Sequence, residues 1–186
     1  MKLKTYLAIL CVISLMSSLC ITCYAAFTHT IDNDTVETTK YANTKNGFGW
    51  FQSTNCYNGD AEIHTVATST NENYYKWQLK SAESRSGNMY VKLEVYLYYT
   101  SFTDPNAEYT LNQNGTTVYS TASGSFDQNL AAAGWNTVYT YTINASSLTG
   151  TAYTSEVKLE PSDLLASSYN KTFYCGADAI RITNTQ

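Results

Sequence analysis

The chain has few of the residues on which catalytic and metal-binding motifs depend. It holds two histidines, His29 and His64, among 186 residues. Neither histidine stands in the spacing of a His-Glu-x-x-His metal motif. The sequence has no glycine-rich phosphate loop, and no serine lies in a local nucleophile motif. These absences argue against nucleotide-dependent enzymes, zinc hydrolases and Ser–His hydrolases.

Basic charge is also scarce. The sequence has 11 Lys and Arg against 15 Asp and Glu, which gives a net charge of −4 at pH 7. The acidic residues are dispersed along the chain and form no tail. A mildly acidic chain with scattered lysines is a poor match for nucleic acid or for an anionic membrane surface. We therefore expect no nucleic-acid partner.

Long hydrophobic runs are absent after the first 25 residues. Two lysines precede an apolar stretch from Leu7 to Leu19, and the small residue Ala25 follows a few positions later. This order predicts a secretory signal peptide over residues 1–25. The apolar stretch is shorter than the roughly 20 residues that a membrane-spanning helix needs. We therefore expect residues 26–186 to be secreted as a single domain, with no membrane insertion after cleavage of the leader.

Cysteine is sparse in the expected mature chain. Three of the five cysteines lie in the leader, which leaves Cys56 and Cys175. In an exported protein, two remaining cysteines favour a disulfide. A bridge across so long a loop would stabilise the fold by about 4 to 5 kcal/mol in the chain-entropy model. The alternative is two unpaired thiols, and we predict the bridge.

Aromatic residues are abundant, whereas proline is rare. The sequence contains 17 Tyr and 3 Trp but only 2 Pro. Tyr, Trp and Thr favour strands, and signals for long helices are weak. Many short strands joined by polar turns are typical of a sandwich or a barrel. The composition therefore predicts an all-β domain of two packed sheets.

The clearest strand runs from Met89 to Thr100, where apolar and polar residues alternate. This period of two predicts one face in the core and the other face polar and aromatic. The dipeptide Asn114-Gly115 predicts a hairpin turn. Shorter strands are predicted at Thr28–Asp32, Phe48–Gln52, Glu62–Ala67, Tyr74–Leu79, Ala107–Leu111, Thr116–Ser120, Val138–Ile143, Glu156–Glu160 and Ala177–Thr183.

Short motifs at both ends of the chain resemble one family of extracellular domains. The chain opens with Ile31-Asp32-Asn33-Asp34, carries Gly134-Trp135 before a strand, and ends with Ala177-Asp178-Ala179-Ile180-Arg181-Ile182. This order resembles the golvesin C-terminal domain, also called the xanthan lyase carbohydrate-binding-like domain, over about residues 29–184. The resemblance implies a jelly-roll-like β-sandwich of two antiparallel sheets that accompanies polysaccharide-active or cell-surface proteins.

A row of tyrosines on the clearest strand is the first candidate ligand site. Tyr90, Tyr96 and Tyr98 share one face, and each two-residue step along the strand spans roughly 7 Å. Aromatic rings in such a row can stack on sugar rings, while Lys92 and Glu94 bind the hydroxyl groups. The alternative is that the face is covered, so that the tyrosines belong to the core.

The three tryptophans are expected to differ in their surroundings. Trp77 follows the inward pattern of its strand, and Trp135 begins a strand at the edge of the sandwich. Trp50 is flanked by Gly47 and Gly49, so we expect it to be exposed. Trp50 therefore joins the predicted ligand-binding residues.

Three aspartates form the candidate metal site. The first and last strands of a sandwich often pair, so Asp32, Asp34 and Asp178 are expected to lie near one another. Carboxylates and backbone carbonyls suit Ca²⁺, which takes six to eight oxygen ligands. The alternative is that Asp178 accepts backbone hydrogen bonds at the rim of the sandwich. A structural Ca²⁺ is the one cofactor considered.

The sequence as a whole favours a non-catalytic module that binds extracellular or cell-surface carbohydrate. The first alternative is a structural or adhesive component of a surface layer or matrix, with protein partners. The second is a small polysaccharide-active enzyme, for which two carboxylates across a cleft are required. Glu94 is the acid to inspect first, although a strand Glu beside Lys92 is more often a charge partner.

Overall fold

A computed structural model describes residues 27–66, 73–82, 89–98, 100–121, 126–143, 153–162 and 172–185. The predicted leader lies outside these ranges. Within them the chain forms strands, one 3₁₀ turn at Tyr57–Gly59, and no helix long and apolar enough to cross a membrane. The strands are β1 (Phe27–Ile31), β2 (Tyr41–Asn46), β3 (Gly49–Gln52), β4 (Asp60–Val66), β5 (Tyr74–Ala82), β6 (Met89–Leu97), β7 (Glu108–Gln113), β8 (Thr116–Ser120), β9 (Gly134–Ile143), β10 (Tyr153–Glu160), β11 (Phe173–Ala177) and β12 (Ile180–Thr185).

The strands form three antiparallel sheets. Sheet A has the order β1-β12-β6-β9, sheet B the order β2-β5-β10-β7-β8, and sheet C the order β11-β4-β3. Sheets A and B enclose the main core, and ring contacts such as the stacked pair Tyr119–Tyr139 join β8 of one to β9 of the other. The predicted all-β, jelly-roll-like sandwich is confirmed, except that the described strands form three antiparallel sheets where the sequence predicts two.

Alternation of side chains along the central strands builds the core. In β6, Val91, Leu93, Val95 and Leu97 are all buried. They face the buried side chains of sheet B, which include Trp77 on β5. Because side chains of a strand point alternately to its two faces, the intervening residues of β6 are directed outward from the sandwich. The core therefore fixes which residues sheet A presents on its outer face.

The ends of the chain meet as expected. β1 pairs with β12, so that Ile31 lies opposite Ile180. The hairpin between β7 and β8 turns at Asn114 and Gly115, whose φ angles are 47° and 76°. Positive φ at both central positions is the geometry that Asn-Gly favours in a two-residue hairpin. The predicted hairpin is therefore confirmed.

Two strands, β2 and β11, escaped the sequence prediction. Tyr41–Asn46 is largely polar because β2 lies at an edge of sheet B and half of its residues are exposed. Phe173–Ala177 contains a glycine, which usually weakens a strand. Gly176 is required here because the ring of Phe102 packs directly on its backbone.

The side chain of Gln128 completes this corner of the structure. It is fully buried, and its amide accepts from Gly176 N at 2.9 Å and donates to Gly176 O at 3.0 Å. Its Nε2 also donates to the Tyr109 hydroxyl at 2.8 Å. The Gln128 amide thus takes the place of a neighbouring strand for the backbone of β11. Because it also binds Tyr109 of β7, it links sheet C to sheet B.

The predicted disulfide between Cys56 and Cys175 is wrong in this structure, because both residues are free, buried thiols. Cys56 lies before the 3₁₀ turn and near the carboxylates of Asp178 and Asp60. Cys175 lies within β11, opposite His64 of β4 and beside Asp104. Each thiol therefore has its own surroundings. Burial raises the pKa of Cys56 to about 12 and that of Cys175 well above its usual value.

We predict that Gly176→Ala destabilises the fold by about 1–3 kcal/mol, because its methyl group would overlap the buried ring of Phe102. Urea unfolding measures the effect. Gly49→Ala is the matched control, since it lies in sheet C without a positive φ and its nearest neighbour would be Ile63 O at 4.0 Å. Equal stability of the two variants would contradict the packing described here.

We predict that the chain without its leader carries two thiols that react only after unfolding, because both are buried and protonated at neutral pH. A thiol reagent added without reductant should modify Cys56 and Cys175 in denaturant and leave the native protein nearly unmodified. Absence of thiols in denaturant would show instead that the two residues are bridged.

Candidate functional site

The outer face of sheet A brings together most of the predicted ligand-binding residues. β6 lies between β12 and β9, and it presents Tyr90, Lys92, Glu94 and Tyr96 outward. On β12, Arg181 lies opposite Glu94, and Thr183 lies opposite Lys92. On β9, the outward positions beside these residues are Trp135, Thr137, Thr140 and Thr142.

Glu94 is the electrostatic centre of this face. It is only 5% exposed. One carboxylate oxygen lies 2.7 Å from Lys92 Nζ, and the other accepts from Arg181 Nε at 2.8 Å. The hydrogen bond from Arg181, followed by that from Lys92, lowers the pKa of Glu94. The predicted role of Glu94 as a charge partner is therefore confirmed, and the carboxylate is ionised at neutral pH.

An aromatic cluster covers one end of the face. The rings of Tyr57, Tyr96 and Trp135 pack edge to face, with centroids 5.3–5.6 Å apart. The Arg181 guanidinium lies 4.3 Å from the centroid of Trp135, in a cation–π contact. Tyr96 is therefore half-buried among other side chains, and the ring of Trp135 contacts both Tyr96 and the guanidinium of Arg181.

A depression of about 400 Å³ occupies the other end of the face. Tyr90 lines it and is 60% exposed. The other side chains that point outward here are Lys92, Thr140, Thr142 and Thr183. The depression thus combines one exposed aromatic ring with an ammonium group and three hydroxyl groups, the combination that a sugar-binding surface needs.

Tyr98 does not continue the row. β6 ends at Leu97, and the ring of Tyr98 packs against the hydrophobic core instead. Hydrogen bonds with Thr100 and Asn55 lower the pKa of its hydroxyl. The predicted row of three tyrosines is therefore divided among an exposed Tyr90, a half-buried Tyr96 and a Tyr98 outside the strand.

Trp50 is exposed, as expected, at 55%. It lies on β3, opposite Glu62 of β4. Sheet C carries both residues, so Trp50 belongs to a different sheet from Tyr90. The structure does not place Trp50 on the outer face of sheet A, and it forms a separate candidate surface.

A second depression, of about 370 Å³, lies on sheet B. Gln78, Asn112 and Glu156 line it, and the amides of Gln78 and Asn112 each donate a hydrogen bond to Glu156. Lys80 lines it too, so its charged residues include one of each sign. Its described lining contains no aromatic ring. The depression on sheet A is therefore the better platform for a sugar.

The predicted aspartate cluster is partly assembled. Asp32 and Asp178 are both buried, whereas Asp34 is exposed. Asp32 accepts from Asn33 N and Asn58 Nδ2, and Asp178 Oδ2 accepts from Tyr57 N at 3.0 Å. The predicted acceptance of backbone hydrogen bonds by Asp178 is thus confirmed.

The pKa of Asp178 is raised to about 8, chiefly by burial and also by the nearby carboxylates of Asp32 and Asp60, against the hydrogen bond from Tyr57 N, which lowers it. Burial likewise raises the pKa of Asp32 to about 6. The Oδ1 atom of Asp178 is buried without a hydrogen-bond partner. Among the described residues, however, no three His, Cys, Asp or Glu side chains are grouped to hold a metal ion. Calcium binding here stays a prediction.

Sequence reasoning missed several residues of the outer face. Arg181 and Trp135 belong to the motifs that carry the family resemblance, and the sequence predicts no role for them on this face. Arg181 becomes a neighbour of Glu94 only through the pairing of β12 with β6, which the sequence does not indicate. Tyr57 comes from the turn before β4, and no strand pattern connects it with Trp135.

We predict that the contribution of Asp178 and Asp32 to the stability of the fold increases as the pH falls from 8 to 5. The folded pKa values of Asp178 and Asp32 are raised above 3.8, so the folded state holds protons that the unfolded chain releases. Their stabilising contribution is complete below about pH 4 and is lost as the pH rises through the folded pKa values. The slope reaches about 1.4 kcal/mol per pH unit for each titrating group.

Urea unfolding at several pH values, with and without Ca²⁺, measures this dependence. Asp178→Asn should flatten the slope and raise stability at pH 8. An unchanged slope in the variant would contradict the assignment. If Ca²⁺ binds to the ionised cluster, it should stabilise the parent chain at pH 8 and not the Asp178→Asn variant.

The fold is similar to solved structures, although no family model and no curated protein matches the chain. A xanthan lyase from Paenibacillus matches with a TM-score of 0.51 at 16% identity, over 83% of this chain and 13% of the lyase. A family 35 carbohydrate-binding module from Clostridium thermocellum matches with a TM-score of 0.47 at 12% identity, over 84% of this chain and 97% of the module. Another from Paenibacillus barcinonensis matches with a TM-score of 0.46 at 13% identity, over 85% and 98%. The chain thus spans a small part of the lyase, and that match shows a shared β-sandwich fold.

Proposed function

We propose that this protein is a secreted, non-catalytic module that binds extracellular or cell-surface carbohydrate on the outer face of sheet A. The observation that carries the proposal is the depression of about 400 Å³ beside the exposed ring of Tyr90. An exposed tyrosine offers a flat apolar surface to the C–H face of a sugar, and its hydroxyl group adds a polar contact.

The polar groups around Tyr90 suit the hydroxyl groups of a sugar. Thr140 and Thr142 on β9 and Thr183 on β12 line the same depression. Each threonine hydroxyl both donates and accepts, as sugar hydroxyls do. Because these residues lie on paired strands of one sheet, their positions are set before a ligand binds. Such preorganisation lowers the entropic cost of binding.

The resemblance to the xanthan lyase carbohydrate-binding-like domain supports the proposal. The β-sandwich fold that the chain shares with a xanthan lyase agrees with that resemblance. We therefore keep membership of the golvesin C-terminal family as part of the proposal. The proposal also includes cleavage of residues 1–25 and secretion of the mature chain, because the sequence of these residues fits a signal peptide.

The state of Glu94 supports a role without catalysis. A glycosidase needs one carboxylic acid with a raised pKa and a second carboxylate across the cleft. The pKa of Glu94 is lowered instead, and both of its oxygen atoms are paired with cations. The outward strand positions around it are threonine, tyrosine, tryptophan and basic residues. This face therefore favours binding over hydrolysis.

We predict that Tyr90→Ala weakens binding to a soluble polysaccharide ligand by roughly 10-fold, which corresponds to about 1.4 kcal/mol. The loss follows from removal of the exposed ring. Retardation in native gels that contain polysaccharide identifies a ligand, and calorimetry gives its affinity. Tyr90→Phe keeps the ring and should retain most of the binding.

Two further variants serve as controls for this prediction. Tyr174→Ala removes another partly exposed tyrosine, on β11 of sheet C, and should not change the affinity. Trp50→Ala tests the separate surface on β3. If binding is lost in Trp50→Ala and kept in Tyr90→Ala, the ligand binds to sheet C and the proposed face is wrong.

A further inference from the structure

The outer face of sheet A has a charge opposite in sign to that of the whole chain. Among its described strand positions, the charged residues are Lys92, Glu94 and Arg181. Two cations and one anion leave a surplus of one positive charge. The chain as a whole carries −4 at pH 7. A local surplus of positive charge on an acidic protein points to a ligand of negative charge.

Of the two cations that pair with Glu94, Lys92 is the more exposed to a ligand. Glu94 neutralises one of its two cationic neighbours, because both of its oxygen atoms are engaged and its pKa is lowered. The side chain of Arg181 is 29% exposed and lies against Trp135, which leaves little of it open to a ligand. The side chain of Lys92 is 45% exposed.

Lys92 also lies where a ligand would bind. It is the only charged residue in the described lining of the depression on sheet A. The threonine hydroxyls around it can donate hydrogen bonds, as its ammonium group does. Hydrogen bonds from charged or hydroxyl donors to an ionised acceptor are stronger than those between neutral groups. The donors around Lys92 therefore suit an acidic group.

We propose that the carbohydrate bound by this face is anionic, with Lys92 binding a carboxylate or sulfate group and Tyr90 stacking on the sugar ring. The proposal rests on the proposed function, since it specifies the ligand of the same site. Lys92 and Tyr90 are two residues apart on one face of β6, a separation of roughly 7 Å along the strand. One sugar unit and its acidic substituent can therefore contact both side chains.

The opposite side of the sandwich provides a comparison within the same molecule. Its depression is lined by Lys80 and Glu156, whose charges cancel. Lys158 on β10 forms an ion pair with Glu160, two residues along, just as Lys92 does with Glu94. Removal of Lys158 therefore changes the net charge of the protein by the same amount without affecting the proposed face.

The experiment compares ligands that differ only in charge. Polygalacturonate is paired with its carboxyl-reduced form, and a sulfated galactan is paired with its desulfated form. Affinities are measured for the leader-free chain, Lys92→Gln, Lys92→Arg and Lys158→Gln. Thermal melts of all four establish that they are folded.

We expect the parent chain to bind at least one acidic polysaccharide about 10-fold more tightly than its neutral form. The preferred pair identifies the group as carboxylate or sulfate. Lys92→Gln should lose about 5- to 10-fold in affinity for the acidic form and nothing for the neutral form. Lys92→Arg should restore most of the affinity, and Lys158→Gln should match the parent chain.

Two other results separate the failure of this inference from the failure of the proposed function. Equal binding of acidic and neutral forms, or equal losses in Lys92→Gln and Lys158→Gln, would overturn the anionic ligand and leave sugar binding intact. Absence of binding to all four polysaccharides and to a wider neutral panel would overturn both.

Discussion

The alternation of buried and outward side chains along β6 determines both the core and the outer face of sheet A. Val91, Leu93, Val95 and Leu97 must enter the core between the sheets, and all four are buried. A shift of one residue in register would exchange the two faces. β6 is hydrogen-bonded to β12 on one side and to β9 on the other. The outward side chains of β6 therefore have fixed positions relative to the outward side chains of those two strands. The proposed site is therefore a consequence of how the core is packed.

The ion cluster around Glu94 adds a second constraint on the same face. A buried carboxylate is costly unless it is paired and hydrogen-bonded, and Glu94 meets that need through Lys92 and Arg181. Arg181 in turn lies on the ring of Trp135. One end of the face is thus closed by aromatic and ionic contacts. The other end of the face is open around Tyr90. Lys92 lies between the two ends, since it pairs with Glu94 and also lines the depression beside Tyr90.

Strands with a clear period of two could be predicted from the sequence, and so could their faces. In β10, Val157 and Leu159 are buried while Glu156, Lys158 and Glu160 are not, as the alternation indicates. The pairing of β1 with β12 and the Asn114-Gly115 hairpin were also predictable. The strands β2 and β11 could not be predicted. β2 lies at the edge of its sheet, where a strand needs few apolar residues. β11 contains Gly176, which is required because of its contact with Phe102, a residue far away in the sequence.

Contacts between residues far apart in the chain account for most of what sequence reasoning missed at the site. The alternation of β6 placed Tyr90, Lys92, Glu94 and Tyr96 on one face. It said nothing of Tyr57 and Trp135, which enclose Tyr96 from a turn and from another strand.

Two further predictions, the end of strand β6 and the Cys56–Cys175 bridge, also failed because they depend on the folded structure. Tyr98 was assigned to the face because the strand was predicted three residues too long. The cysteine prediction was wrong because it rested on the number of cysteines alone, whereas a bridge also depends on where the two thiols lie, and both are free in the structure.

A titration followed by amide chemical shifts would show which face of the protein binds the sugar. The labelled leader-free chain is titrated with oligosaccharides from a polysaccharide that retards it in gels. We expect shift changes confined to residues near Tyr90 on β6, Thr142 on β9 and Thr183 on β12. Changes centred on Trp50 in sheet C, or on Gln78 and Glu156 in sheet B, would contradict this expectation.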